Sequence, residues 1–481
     1  MKKVLFITLA AILVLGVSLI GCGGETVPPE APDSIIVGLP RDINEGMEIF
    51  ECYHAGPLYR YFVDQVNADG GIYLSKYDEE VPLELVVRDF SVATWDVGTV
   101  VQGLIDDGAN VIWGGPSTDT IYTIAPVCNA AAVNFIGLEG GAAKMVTDHE
   151  EFLDNWPYVW LTLSFANWYE IPVLKGIMDD VVTGRDPIAY VTYIGGLGAE
   201  HGLEYRDETV VQFGAENVLP GGTGVEHTFD MGFIDQEQAN TIIQNAITAL
   251  GDPANPNYDI FCAYTYPWNV AALFIAAQTF GFNPPAMIFG PGSSQGYFSA
   301  QWGDDLVEGI MSFTMANEKT VATVGTPTMT MADLYAGVAA QIDEDWTSYD
   351  VCPKPDYATS GSQMLDYWGQ PCFMAGLEMW KAAVEEVGDI VDNADIRQVL
   401  ASYSQDDPAS TVFGDTWFEV FGNGNGGGIL SYKSHTGEIG QWQSGIMETI
   451  GYPGVTDEQP NYDITETTLF PMTDQWEWML P

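Results

Sequence analysis

Basic side chains are scarce in this chain: 15 lysines and arginines stand against 67 aspartates and glutamates over 481 residues, a formal charge of −52. A field of that sign repels phosphate backbones and anionic headgroups, which excludes nucleic acid as a partner. It also keeps a protein soluble when salt screens its charges. The histidines (His54, His149, His201, His227 and His435) show no HExxH spacing, and the carboxylates are spread rather than looped as in an EF-hand. No metal and no cofactor is therefore expected. The absence of CxxC argues against a zinc or redox pair. No apolar run of spanning length follows the first twenty residues, so the body is expected outside the bilayer. Apolar residues are plentiful, at 47%, with 14 Trp, 23 Tyr and 22 Phe. That composition belongs to a well-packed globular protein, and the length allows two sizeable cores.

Lys2 and Lys3 precede an apolar run from Val4 to Ile20, the layout of an export signal. A run of about seventeen residues is at the lower limit for a transmembrane anchor, which is the other reading. Leu19-Ile20-Gly21-Cys22 resembles the lipobox of bacterial lipoproteins. The resemblance implies a signal peptide over 1–21, a diacylated Cys22, a tether over 22–34 and a body held at the outer face of the membrane. Cys52, Cys128, Cys262, Cys352 and Cys372 remain, an odd number for an oxidising compartment. Cys352 and Cys372 bracket a loop containing Pro, Gly and Ser and are the expected disulfide; Cys262, within an apolar run, reads as a buried free thiol.

Ser34 to Pro40 is a continuous apolar run of the kind a buried strand shows, and a helix from Pro57 to Asn67 follows, stopped by Gly70-Gly71. Strands are expected at 83–88, 111–113 and 134–137, alternating with helices at 94–106 and 118–131. The cycle repeats with strands at 158–163, 188–193, 258–263 and 286–289 and helices at 168–182, 201–213, 236–250 and 268–280. Alternation of this kind predicts α/β architecture with doubly wound parallel sheets. Two winding units indicate two lobes, which the helix 373–387 and the hairpin-like stretch 417–442 complete. The glycine run 422–428 reads as a turn, because no helix follows it.

Ile35-Ile36-Val37-Gly38, Val66-Asn67-Ala68-Asp69-Gly70-Gly71-Ile72, Leu83 to Asp89, Leu104-Ile105-Asp106-Asp107, Gly114-Gly115-Pro116-Ser117-Thr118 and Ile124-Ala125-Pro126-Val127 occur in telling order. Together they resemble the type I periplasmic solute-binding proteins of branched-chain amino-acid and amide ABC importers, strongly to about residue 140 and loosely after 320. The resemblance implies two lobes joined by a three-stranded hinge, with 35–157 and 313–412 forming lobe 1 and 158–312 and 413–481 forming lobe 2. It implies a monomer that captures a small organic ligand (amino acid, amide or carboxylate) and presents it to permease subunits. Such a protein has no catalytic chemistry.

Open α/β sheets bind ligands at the carboxyl ends of their strands. Ser117 and Thr118 open a helix there, where free amides and the helix dipole favour a carboxylate. The resemblance assigns the serine to the ligand's carboxylate, and it equally suits an N-cap. Gly140 and Gly141 would let backbone amides approach, while Glu139 either meets a ligand cation or faces solvent. Phe165, Trp168, His201, Tyr266 and Trp268 occupy edge loops of the second lobe, where rings either stack on a ligand or pack between lobes. Tyr53 is a further candidate. Arg41, one of six arginines, either clamps an anion or pairs with a carboxylate. Amino-acid binders of this family place an acid after the last second-lobe strand, whereas this chain reads Phe289-Gly290-Pro291-Gly292-Ser293-Ser294. That departure argues against a standard α-amino acid.

Gly292-Ser293-Ser294-Gln295-Gly296 also matches the G-x-S-x-G pattern of hydrolases, with Ser294 as nucleophile and His435 the one later histidine. A serine hydrolase is thus an alternative, as is a ligand sensor that docks on a membrane receptor.

Overall fold

The computed structural model describes residues 29–451, apart from short internal stretches, and 462–464. Cys22, Glu139, Gly140, Gly141, Phe165 and His435 lie outside the described residues, as do the side chains of Trp168 and His201.

The continuous apolar runs become strands covered on both faces. Val111, Ile112 and Trp113 are all fully buried; Ile112 packs into one apolar cluster and Trp113 into the other, as alternation across a strand requires. Ile35–Arg41 lies between Leu83–Asp89 and Val111–Gly114, followed outward by Asn134–Gly137 and Val159–Leu161, all parallel. The hairpin of Phe418–Val420 and Gly428–Leu430 closes that edge. The second sheet runs from Val225–Glu226 through Ala189–Gly195, Ile260–Thr265, Ala286–Pro291 and Met311–Thr314 to the antiparallel pair Glu438–Gln443 and Ile446–Gly451. The chain passes between the sheets after Leu161, between Thr314 and the helix Met331–Ser348, and between Leu430 and Glu438.

The strand pairing departs from the expected division in three places. The strand near 158 joins the first sheet, because its free edge beside Asn134–Gly137 is the nearest parallel partner. Met311–Thr314 extends the second sheet, and the stretch 417–442 divides, its hairpin going to the first sheet and Glu438 onward to the second.

The cysteine pairing is a second correction. Cys52 and Cys352 form the disulfide, with Cα atoms 5.3 Å apart. Cys372 is a fully buried thiol near the start of the helix Gln370–Val387, outside any disulfide because Cys352 is already bonded to Cys52. Cys262 is free and buried, and burial pushes its thiol up to about 12.

Among the buried carboxyls, Glu438 and Glu378 are held by hydroxyl and amide donors. Glu438 accepts hydrogen bonds from Thr320 (2.9 Å) and Thr449, and Glu378 from Thr328 and the Val412 amide (2.7 Å). Burial pushes each from its ordinary 4.5 up to about 7. Between those values the folded chain binds protons that the unfolded chain has released, so this contribution to stability is lost as pH rises through about 7. Thermal unfolding between about pH 5 and pH 8 should show Glu438→Gln reducing the decline of Tm with pH. An unchanged slope would remove Glu438 from the account.

Candidate functional site

The carboxyl ends of both sheets face one cleft with about 590 Å³ of empty volume, its open mouth included. Phe50, His54 and Thr118 line it from the first sheet's side; Ile194, Tyr205, Tyr264, Tyr266, Ser294 and Gln295 line it from the second; Trp368 comes from the segment after the second crossing. Among the described lining residues none is Lys, Arg, Asp or Glu.

Thr118 is set by its local sequence. Gly114 and Gly115, with φ of 134° and 82°, turn the chain out of its strand through conformations that other residues avoid. Ser117 is then extended and caps the helix Thr118–Ala131, its Oγ accepting from the Thr120 amide at 3.3 Å while its own amide donates to Thr120 Oγ1 at 3.1 Å. The Ser117 side chain serves as the cap, and Thr118 is the residue that lines the cleft.

Across the cleft, the helix Pro267–Phe280 begins at the end of Ile260–Thr265, with proline at the start. Tyr266 stacks on Trp268 (4.4 Å between ring centroids) and its hydroxyl reaches Asp119 Oδ2 at 3.4 Å. Trp268 stacks in turn on Phe233 and meets Phe50 edge-on at 5.7 Å. Of these two rings, Tyr266 lines the cleft and Trp268 packs against Phe50 and Phe233. Tyr205 forms the cleft floor in a cluster of three rings, 4.9 Å from Tyr264 and 4.5 Å from Phe313, which are themselves 5.8 Å apart. A Cβ at Gly290 would overlap the Phe313 ring, so only glycine lets this stack form. Beneath it, Glu170 accepts the Tyr205 hydroxyl at 2.9 Å; burial pushes the Glu170 carboxyl well up, and the Tyr205 phenol likewise.

At the back of the cleft Asp366, fully buried, joins three segments. It receives His54 Nδ1, Ser294 Oγ (3.3 Å), and the Trp368 (2.9 Å) and Gly369 (3.4 Å) amides. The single Ser294 hydroxyl hydrogen is shared between Asp366 and the nearer Pro291 carbonyl, 2.8 Å away. A Ser–His–acid triad needs imidazole between hydroxyl and carboxylate; here the carboxylate stands between serine and imidazole.

The remaining sequence candidates lie elsewhere. Tyr53 is buried outside the cleft lining, its phenol pushed up to about 12 by burial. Arg41 lines a neighbouring pocket of about 300 Å³, bonded to Asp89 at 2.5 Å and 3.6 Å from Glu51, the carboxylate-paired reading of that residue. Reading the sequence left Phe50, His54, Tyr205, Asp366 and Gln295 out of the site. Gln295 directly follows the G-x-S segment, the one local signal that could have found it.

No family model and no curated protein matches the sequence. Solved structures do. An ABC transporter substrate-binding protein from Sphaerobacter thermophilus is 13% identical with a TM-score of 0.57, the match covering 89% of this chain and 99% of that one. A solute-binding protein of an ABC transporter from R. palustris, in complex with benzoate, gives the same figures. The leucine-binding protein from Thermotoga maritima is 13% identical with a TM-score of 0.55, covering 86% of this chain and 97% of its own. The chain has the type I periplasmic-binding fold. In this type I fold the cleft described above lies between the two sheets, where Thr118 and Tyr266 approach each other from opposite helix starts. Among the described residues no helix is long and apolar enough to cross a membrane.

Proposed function

We propose that this chain is an extracytoplasmic solute-binding protein that captures a small organic ligand between two lobes for an ABC importer. The observation that carries the reading is the cleft itself, lined from both sheets at the carboxyl ends of their strands. Solved proteins of the same fold bind leucine or benzoate, which supports a ligand of that size. Ligand bridging Thr118 and Tyr266 would favour the closed arrangement over an open one, a population shift with no covalent step. The proposed lobes follow the sheets, and the protein acts as a monomer tethered through lipid on Cys22, with permease subunits as partners.

A thermal-shift screen across small carboxylates, amides and amino acids tests this, since a compound bound only by the folded form raises Tm. For a carboxylate hit, Thr118→Val should weaken binding about tenfold through loss of a hydrogen bond to a charged group, with Tm of the unliganded protein unchanged. A screen in which no compound moves Tm would count against the proposal.

A further inference from the structure

Gln295 ends the turn after Ala286–Pro291 and lines the cleft, yet is only 2% exposed. Its Oε1 is buried with no hydrogen-bond partner. A buried acceptor left unmade costs about 1–3 kcal/mol, so a protein keeps one where something else completes it. The backbone that carries the residue is held in place. It is bridged to that of Asp366, the next amide donates to the Leu365 carbonyl at 2.6 Å, and a Cβ on Gly296 would strike the backbone at Gln363.

The surrounding charges decide what kind of donor fits. The described lining holds no carboxylate to meet an ammonium group. Asp366, joined to Gln295 through the backbone, has both oxygens hydrogen-bonded, by His54, Ser294 and the Trp368 and Gly369 amides. An ammonium seated against Gln295 would be a buried charge opposite a neutral amide oxygen, which is costly. An uncharged O–H or N–H satisfies the same oxygen with no such cost.

We infer that Gln295 is a specificity-determining residue that accepts a hydrogen bond from an uncharged donor on the ligand. The cleft therefore takes a hydroxy acid or an amide in preference to the α-amino acid of the same skeleton. This rests on the solute-binding reading and adds the ligand class to it.

The test is calorimetric titration with matched compounds: phenyllactate against phenylalanine, 2-hydroxyisocaproate against leucine, and phenylacetamide as the amide arm. The unaltered protein should bind at least one uncharged donor about tenfold more tightly than its ammonium counterpart. Which arm wins separates hydroxyl from amide. Gln295→Glu supplies the missing carboxylate and should shift that ratio at least about tenfold toward the amino acid. Gln295→Met, close in size and without an acceptor, should weaken the uncharged donor while leaving Tm within a few degrees. Tighter binding of phenylalanine or leucine by the unaltered protein, or a ratio that neither variant moves, overturns the inference. Binding of none of these compounds by any of the three proteins also overturns the inference, whereas the solute-binding reading falls only if the broader thermal-shift screen is empty as well.

Discussion

Replacing Asp366 with alanine should lower the unfolding free energy by about 3–5 kcal/mol, because it removes the shared acceptor of several buried donors at once. His54 is itself 1% exposed, so removing the carboxylate strands a buried imidazole beside Ser294 and two backbone amides. The three segments joined there come from residues 54, 294 and 366, one from each sheet's side and one from the segment after the second crossing, so the loss is of position as well as energy. Asp366→Asn keeps one acceptor oxygen and should fall between the two. Urea unfolding by tryptophan fluorescence measures both variants. A midpoint unchanged in Asp366→Ala would mean that the junction contributes nothing to holding the fold.

Removing the disulfide has the second large effect. Cys52 and Cys352 are 300 residues apart in sequence, so the cross-link restricts the unfolded chain over a very long loop. Losing such a bond typically costs about 2–5 kcal/mol. Cys52 also sits in the five-residue π-helical turn Phe50–His54, which puts Phe50 and His54 into the cleft wall. Cys352→Ser is therefore expected to lower Tm by several degrees and to weaken ligand binding. Adding reductant should lower the Tm of the unaltered protein and of Cys372→Ser alike, and leave Cys352→Ser unmoved. If Cys372→Ser instead abolished the response to reductant, the pairing with Cys52 would be wrong.

Much of the fold was legible because its signals are local. The helices Thr118–Ala131 and Gln236–Leu250 and the strand Asn134–Gly137 stand at the limits their sequences predict. Ser117 caps the first of these helices, and short apolar runs between turn residues mark the strands. The helices Met331–Ser348 and Asn393–Ser402 escaped the reading although Thr330 and Asp392 cap them through their side chains. Those caps were available signals. The strand Met311–Thr314 alternates apolar and polar residues although all four are buried, so no continuous apolar run marks it. Among the residues that line the cleft, Thr118 and Tyr266 were legible because each stands at a helix start shortly after a strand. His54, Asp366 and Gln295 were not, because nothing near any of them in sequence announces its partner.

What the sequence determined by itself was the charge of −52, the alternation of strand and helix, and the places where helices begin beyond strand ends. These follow from residue chemistry and from neighbours a few positions apart. Which cysteine meets Cys52, which sheet receives Val159–Leu161, and how His54, Ser294 and Asp366 converge were decided by the tertiary structure alone. Those pairings join residues separated by tens to hundreds of positions. They are fixed by strand order and by where the chain crosses between sheets, for which no short stretch of sequence carries a code.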